Sequence, residues 1–133
     1  MRLKEKVLHY VATMKSDFEA SLDLLADDVV WINLLPENVP FGGTYRGKEE
    51  VVGYFMKMAE TFVIGDYEWD LFEYYESGDT LVMVGFEKDG RAVPTGKVFD
   101  LHFVWVIKFN DNGLICYLRE HNDTAAIGDA FKA

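Results

Sequence analysis

Basic residues are scarce in this chain. Its 13 lysines and arginines stand against 23 aspartates and glutamates, which gives a formal net charge of −10 over 133 residues. A field of that sign repels phosphate backbones and anionic membrane surfaces. The sequence therefore predicts that neither nucleic acid nor a membrane is a partner of this protein.

Cysteines and long apolar runs are scarce as well. The single cysteine, Cys116, stands within an apolar stretch, so no internal disulfide can form and a reducing compartment is indicated. The first residues mix charged and apolar side chains at helical spacing, without the unbroken apolar run of a signal peptide or a membrane span. We therefore expect a cytoplasmic protein.

The motifs that hold metals and phosphate-bearing cofactors are missing. The three histidines, at positions 9, 102 and 121, do not show metal-ligand spacing. The glycines between 42 and 47 do not lead from a strand into a helix in the pattern that binds phosphate. The sequence predicts no metal and no cofactor.

Apolar residues are abundant, at 50% of the chain, and 15% of the residues are aromatic. This supply is enough for a folded core beneath an acidic surface, and the length suits one domain over 1–133. Helical spacing predicts two helices at the start, the second opened by a Ser16-Asp-Phe-Glu19 capping box, and a third from about Lys48 to Gly65. Asp123 is expected either to cap a terminal helix or to be an acid of the site.

Apolar residues alternate with a period of two from residue 66 onward. This pattern predicts a four-stranded antiparallel meander over 67–75, 80–88, 97–109 and 114–122. An earlier strand is predicted over 29–34, followed by a loop over 35–46. Helices followed by one curled sheet predict an α+β fold that encloses a mostly apolar pocket.

Two polar residues, Asn33 and Glu120, stand where strand alternation points inward. In the last strand the alternation places Leu118, Glu120 and Asn122 on one face. Burial of an unpaired carboxylate is costly, so Glu120 is expected to be paired, to have a shifted pKa or to take part in chemistry. The Asn33 amide could orient water or a substrate carbonyl, or it could satisfy backbone groups where the 35–46 loop begins.

The order of elements and several short motifs resemble the SnoaL-like, NTF2-like superfamily over nearly the whole chain. The motifs are Trp31-x-Asn33, Tyr45-Arg-Gly-Lys-Glu-Glu-Val51, Pro94-Thr-Gly-Lys97 and Gly113-x-Ile115, followed by Arg119-Glu120 and Asp123. The resemblance implies an NTF2-like cone, with N-terminal helices packed on a curved, mostly antiparallel sheet around a pocket. It also implies that the pocket is lined by Met58, Phe62, Ile64, Leu101, Phe103 and Asn122.

Within this superfamily the pattern is closest to that of the limonene-1,2-epoxide hydrolases. In those enzymes a Tyr, an Asn and an Asp hold the water that opens the epoxide, and these positions fall on Trp31, Asn33 and Glu120. The Arg-x-Asp pair that completes their site falls on Phe86 and Lys88. An apolar residue and a base cannot replace that pair, so we expect epoxide hydrolysis to be absent. Trp31 either supplies an indole donor in place of the phenol or is a core residue.

The surroundings of Glu120 separate the functional interpretations. If Lys88 pairs with Glu120, the carboxylate stays ionised, and the pocket is expected to bind a small apolar ligand without chemistry. If Lys88 points to solvent, desolvation by Leu118, Leu101 and Phe103 raises the pKa of Glu120 towards that of a general acid or base. The protein is then a cofactor-independent isomerase, cyclase or hydrolase acting on a small apolar substrate. A dimeric assembly domain with a vestigial cavity is the third interpretation.

The opposite face of the sheet carries an apolar strip of Val104, Val106, Tyr117 and, by the same parity, Ile115. Such a strip on an acidic protein is a candidate for a self-complementary contact. Proteins of the superfamily commonly dimerise in this way. We therefore expect a homodimer that associates through the outer sheet face.

Overall fold

Four helices and an eight-stranded sheet make up residues 2–133, the part of the chain that this computed structural model describes. The helices are α1 (Leu3–Ser16), α2 (Phe18–Leu22), α3 (Gly47–Thr61) and α4 (Thr124–Ala130). The strands are β1 (Leu25–Leu34), β2 (Gly43–Arg46), β3 (Phe62–Val63), β4 (Asp66–Tyr67), β5 (Glu73–Ser77), β6 (Thr80–Ala92), β7 (Val98–Phe109) and β8 (Ile115–Asn122). This arrangement confirms the predicted α+β class.

The sheet contains the predicted meander and adds to it. Strands β5, β6, β7 and β8 pair antiparallel in sequence order. Strand β1 joins β8 in parallel, and β2 joins β1 antiparallel. The prediction of an uninterrupted loop over 35–46 is therefore wrong, because Gly43 adopts a left-handed φ of 128° and starts β2.

The predicted strand 67–75 is wrong in its middle. It divides into β4, a single 3₁₀ turn over Trp69–Leu71, and β5, both strands pairing with β6. The turn accompanies an aromatic cluster in which the Trp69 ring stacks on Tyr67 at 4.9 Å and meets the edge of Trp105 at 6.4 Å. Packing of these large rings offsets the pairing that a continuous strand would gain.

Capping side chains fix the starts of the two short helices. Asp17, rather than Ser16 as predicted, caps α2, and its carboxylate accepts the Ala20 N–H at 3.1 Å. Asp123 caps α4 as predicted and accepts the Ala126 N–H at 3.1 Å. The exposed Asp123 carboxylate thus has a structural role at the mouth of the fold.

A β-bulge at Cys116 changes the side-chain parity at the start of β8. In the register with β7, Tyr117 lies opposite Lys108 and Ile115 lies opposite Phe109, so Cys116 is the extra residue. Ile115 therefore faces the core and is only 1% exposed. The prediction that Ile115 belongs to the outer apolar strip is wrong.

The helices cover the inner face of the sheet. The predicted apolar stripe of α1 is buried through Val7, Tyr10 and Val11, and α3 packs across β1 and β2. No helix within residues 2–133 is both long and apolar enough to cross a membrane. The remaining space between α3, α4 and the inner sheet face is a small cavity.

Candidate functional site

Two concave regions of the described residues differ in chemistry. A groove of about 710 Å³ lies between α1 and β5, where Arg2 and Glu76 form a surface ion pair at 3.6 Å and the Lys4 N–H also donates to Glu76. Its charged groups are exposed to water, and the pair of Arg2 and Glu76 is already formed within the protein. The second region is smaller but is lined by buried polar groups, which mark binding sites more reliably than volume does.

This second region is a cavity of about 40 Å³ on the inner face of the sheet. Its polar lining comprises two carboxylates, two amides, a phenol and an indole, from Glu87, Glu120, Asn33, Asn122, Tyr67 and Trp105. The rest of the lining is apolar and includes the predicted Met58, Phe62, Leu101 and Phe103. No lysine, arginine or histidine lines the cavity within residues 2–133.

Glu120 is 7% exposed and is held by two side chains. The Trp31 indole N–H donates to its Oε2 at 2.8 Å, and the Tyr54 hydroxyl donates to the same oxygen at 2.7 Å. Both of these short hydrogen bonds go to one oxygen, so Oε2 anchors the carboxyl group and Oε1 receives neither of them.

Burial raises the pKa of Glu120 from 4.5 to about 7. The hydrogen bonds from Trp31, Tyr54 and Trp105 act in the opposite direction, and the nearby Glu87 charge adds to the increase. Lys88 is exposed, and none of the salt bridges within residues 2–133 involves Glu120. The interpretation in which Lys88 neutralises Glu120 is wrong.

Asn33 supports this carboxyl group through Tyr54. The Asn33 amide donates to the Tyr54 hydroxyl at 2.9 Å, and the Asn122 amide donates to Asn33 Oδ1 at 2.9 Å. The result is a buried chain from Asn122 through Asn33 and Tyr54 to Glu120. The alternative in which Asn33 binds backbone groups of the following loop is not what the structure shows.

Tyr54 is a residue of the site that sequence reasoning missed. It lies on the buried side of α3 and is fully enclosed, with its ring against Trp31 at 5.7 Å and Tyr45 at 4.8 Å. A hydroxyl on an otherwise apolar helix face was the available signal, because a buried phenol needs a hydrogen-bond partner.

Glu87 is a second buried carboxylate that sequence reasoning missed. It is 2% exposed and accepts the Gly65 backbone N–H on Oε2 and the Tyr67 hydroxyl on Oε1, each at 2.7 Å. Burial raises the pKa of this carboxyl as well. Strand alternation could have found it, because Leu81 and Met83 are buried on the same face of β6.

Three residues predicted to belong to the site lie away from the cavity. Phe86 lies on the outer face, where its ring contacts His102 at 4.5 Å between centroids. Lys88 is exposed at a bulge of β6, and Ile64 is 55% exposed in the segment between β3 and β4. The inner acid of β6 is Glu87, one residue from either predicted position.

Phe86 and Lys88 were also the reason to expect no epoxide hydrolysis. Neither lines the cavity, so that reason no longer holds. The described lining contains no arginine at all. On the inner face of β6 the residue two positions before Glu87 is Gly85, so a glycine stands where an Arg-x-Asp pair would have its arginine. The absence of epoxide hydrolysis stays a prediction on that new ground.

The other predicted residues lie at or next to the cavity. Asn33, Glu120 and Asn122 are on its wall, as are the four apolar residues named above. Trp31 is a core residue that also donates to Glu120, and the fully buried Leu118 packs in the core outside the described lining. Within residues 2–133 no group of three or more His, Cys, Asp or Glu side chains is arranged to hold a metal ion.

Comparisons with known proteins agree with this fold. The chain is similar to an NTF2-like protein from Burkholderia xenovorans LB400, at 27% identity over 96% of this chain and 94% of that one, with a TM-score of 0.84. A protein with a cystatin-like fold from Xanthomonas campestris is 27% identical over 98% of each chain, with a TM-score of 0.75.

A protein from Bacillus subtilis proposed to be an isomerase has 22% identity over 98% of this chain and 96% of that one, with a TM-score of 0.78. A search of curated proteins found no match. A family model for the SnoaL-like domain matches residues 7–118, which confirms the family predicted from the sequence motifs. The chain therefore belongs to the SnoaL-like domain family and has the NTF2-like fold.

Proposed function

We propose that this protein is a cofactor-independent acid–base enzyme in which Glu120 moves a proton on a small, largely apolar substrate. One observation carries the proposal. The Glu120 carboxyl group is buried without a cationic partner among the described residues, has a pKa of about 7, and belongs to a residue of the cavity wall.

A pKa near the working pH is what a general acid or base requires. Such a group is present in both protonation states, and proton transfer by it contributes roughly 10²- to 10⁴-fold to a rate. In this proposal Asn33 is a positioning residue, because it holds the hydroxyl of Tyr54, which in turn fixes Glu120 Oε2. Isomerisation and cyclisation, named for some proteins of similar fold, both include proton transfers, although the fold alone does not assign either.

The size of the cavity restricts the substrate. A volume of about 40 Å³ is little more than the roughly 30 Å³ that one water molecule occupies. A larger molecule therefore requires the wall to open, and the half-buried, flexible Met58 side chain is the part best able to move. The aromatic and aliphatic wall suits an apolar body, with polar chemistry confined to the Glu120 end.

The test is a carboxyl NMR titration, with the Glu120 resonance assigned by its loss in Glu120→Gln. We expect a midpoint near 7 and, with any substrate that is found, a loss of at least about 10²-fold in turnover in the variant. A midpoint at or below 4.5 would contradict the proposal and leave the rival function, binding of an apolar ligand without chemistry.

Stability against pH gives a second readout. The pKa of Glu120 is raised in the folded state. Between pH 4.5 and about 7 the folded protein therefore keeps the Glu120 proton, whereas the unfolded chain has released it. The wild-type free energy of unfolding should therefore fall by about 3 kcal/mol across that range and stay low above it. Glu120→Gln should lack this fall and be the more stable protein at pH 8. Destabilisation by Glu120→Gln at pH 8 would count against the proposal.

We further propose that two copies associate through the outer face of the sheet. Val82 lies opposite Val106, and Val84 lies opposite Val104, in the β6–β7 register, so four half-buried valines form one patch. A two-fold contact would bury this patch against itself. Val104→Glu should give monomers in light scattering, whereas Val93→Glu, at an exposed valine outside the strands, should not. A wild-type protein that is monomeric at high concentration would contradict the proposal.

A further inference from the structure

The Pro94-Thr-Gly-Lys97 motif takes no part in the chemistry above, and it lies against α4. The exposed Lys97 ammonium group donates to the carbonyl oxygens of Asp129, at 3.3 Å, and Lys132, at 2.7 Å. The last carbonyl oxygens of a helix have no partner within the helix, and a positive charge suits the negative end of the helix dipole. Lys97 therefore holds the end of α4.

Two further side chains bind the backbone of α4. The Thr95 hydroxyl donates to the Ala130 carbonyl oxygen, and the Asn38 amide donates to the Gly128 carbonyl oxygen at 2.9 Å. Because α4 is not part of the sheet, these side-chain bonds and its apolar contacts attach it to the rest of the fold. Such an attachment can open without disruption of a strand ladder.

Two other elements cover the cavity, and both are costly to displace. Helix α3 carries the fully enclosed Tyr54, which donates to Glu120. The loop over 35–42 carries Val39 and Phe41, which are 3% and 2% exposed. Displacement of either element would bring large apolar side chains into water.

Helix α4 covers the cavity with much less buried surface. Ile127 is its contribution to the cavity wall, and its other buried residues are the small Gly128 and Ala130. The opposite side of the helix is exposed at Ala125 and Asp129, so α4 is a single layer between the cavity and solvent. Displacement of α4 would therefore open the cavity at the lowest cost.

We propose that α4 is the gate of the cavity, and that Thr95 and Lys97 are positioning residues that set how often it opens. The start of α4 stays fixed during opening, because the Asp123 N–H donates to the His102 carbonyl oxygen at 3.0 Å and so provides a hinge. The rate of opening then limits how fast a substrate reaches Glu120. Only the word substrate depends on the proposed function, since opening itself requires no reaction.

Hydrogen–deuterium exchange, with D₂O as the probe, tests the gate without a ligand. Trp105 lines the cavity, and its indole N–H is fully buried beside Glu120, so exchange at this group requires water to enter. The Ile127 and Phe131 amides report on α4 itself, because a helix of 7 residues loses its hydrogen bonds once it detaches. In Lys97→Met we expect both signals to exchange about fivefold faster, the effect of one net hydrogen bond, with the amides of the β7–β8 ladder unchanged.

Lys132→Met is the matched control. Lys132 is exposed like Lys97, but among the described residues its ammonium group bonds only to Asp129 of α4 itself, at 3.5 Å. The same loss of charge should therefore change these exchange rates less than about twofold. Thr95→Val is the second test variant, because it removes the hydroxyl donor at nearly constant shape and should accelerate both signals as Lys97→Met does.

Three results would overturn the inference: faster exchange of the α4 amides without that of the Trp105 indole, equal acceleration throughout the β7–β8 ladder, or wild-type exchange rates in both Lys97→Met and Thr95→Val. Each would leave a side-chain movement, such as that of Met58, as the route into the cavity. The two proposals fail separately. Exchange that depends on Lys97, together with a Glu120 midpoint of 4.5, supports the gate and removes the acid–base function. A Glu120 midpoint near 7 with no effect of Lys97 does the reverse.

Discussion

Glu87 and Glu120 are buried acids on the wall of one cavity, but they are held in different ways. Glu87 uses both of its oxygens, one for the Gly65 backbone N–H and the other for the Tyr67 hydroxyl. Glu120 uses one oxygen for two side-chain donors, from Trp31 and Tyr54. The first arrangement occupies the whole carboxyl group, whereas the second places both short hydrogen bonds on Oε2.

The difference assigns different roles to two chemically identical groups. Glu87 of β6 accepts a hydrogen bond from Gly65, in the segment between β3 and β4, and lies opposite Tyr67 of β4 in the sheet register. It therefore joins this segment to β6 and stabilises the fold around the cavity. Glu120 is oriented through one oxygen by Trp31 and Tyr54, and in the proposed function it moves a proton. Burial alone does not distinguish a structural acid from a reactive one, because it raises the pKa of both.

The largest effect is expected at Gly65, whose backbone holds Glu87. An added Cβ would overlap the Lys88 carbonyl oxygen and lie 2.7 Å from Gly90 N, so the segment would have to move away from β6. Gly65→Ala should therefore lose about 3 kcal/mol or more of unfolding free energy in urea denaturation.

Gly53→Ala is the matched control. Gly53 lies in α3 with open space around a new Cβ, so this change should stabilise the protein by roughly 0.5 to 1 kcal/mol. If Gly65→Ala folded with wild-type stability, the attachment of this segment to Glu87 would not matter to the fold.

A direct test of the comparison is to place glutamine at each acid in turn. In Glu87→Gln the amide oxygen can serve Gly65, but the NH₂ group then faces Tyr67, whose hydroxyl proton loses its acceptor. We expect a loss of about 1 to 2 kcal/mol at pH 5. In Glu120→Gln the single amide oxygen can accept from both Trp31 and Tyr54, so these two hydrogen bonds are kept.

The two variants should therefore separate in urea denaturation at pH 5, where Glu120 is largely protonated in the wild-type protein. Glu87→Gln should be the less stable of the two, and Glu120→Gln should stay close to wild type. Equal losses for both would show that the number of occupied oxygens does not distinguish the acids.

Strand alternation predicted the fold and the inward position of Glu120, but the prediction did not include Glu87. Because side chains in a strand alternate faces, the apolar pattern was sufficient to place Asn33 and Glu120 inward. The same rule failed at Ile115, since one extra residue in the Cys116 bulge reverses the parity. A bulge leaves no clear trace in the apolar pattern of a single sequence.

Glu87 and Tyr54 could have been predicted but were not. Matching to a related site placed positions 86 and 88 inward, although Leu81 and Met83 on the same strand indicate position 87. Tyr54 was not considered as a site residue, although its hydroxyl stands on an apolar helix face. The volume of the cavity depends on side-chain packing, which residue periodicity does not encode.

The smallest effect is expected at Tyr54, which donates to Glu120 and accepts from Asn33. Tyr54→Phe removes a hydrogen bond that lowers the pKa of Glu120, so the NMR midpoint of that carboxyl group should rise above about 7. The pH range over which stability falls should extend upward accordingly, and the unpaired Asn33 amide should cost about 1 kcal/mol. Tyr10→Phe is the control, because the buried Tyr10 hydroxyl has no partner within residues 2–133. A Glu120 midpoint that falls or stays constant in Tyr54→Phe would show that Tyr54 does not hold this carboxyl group in solution.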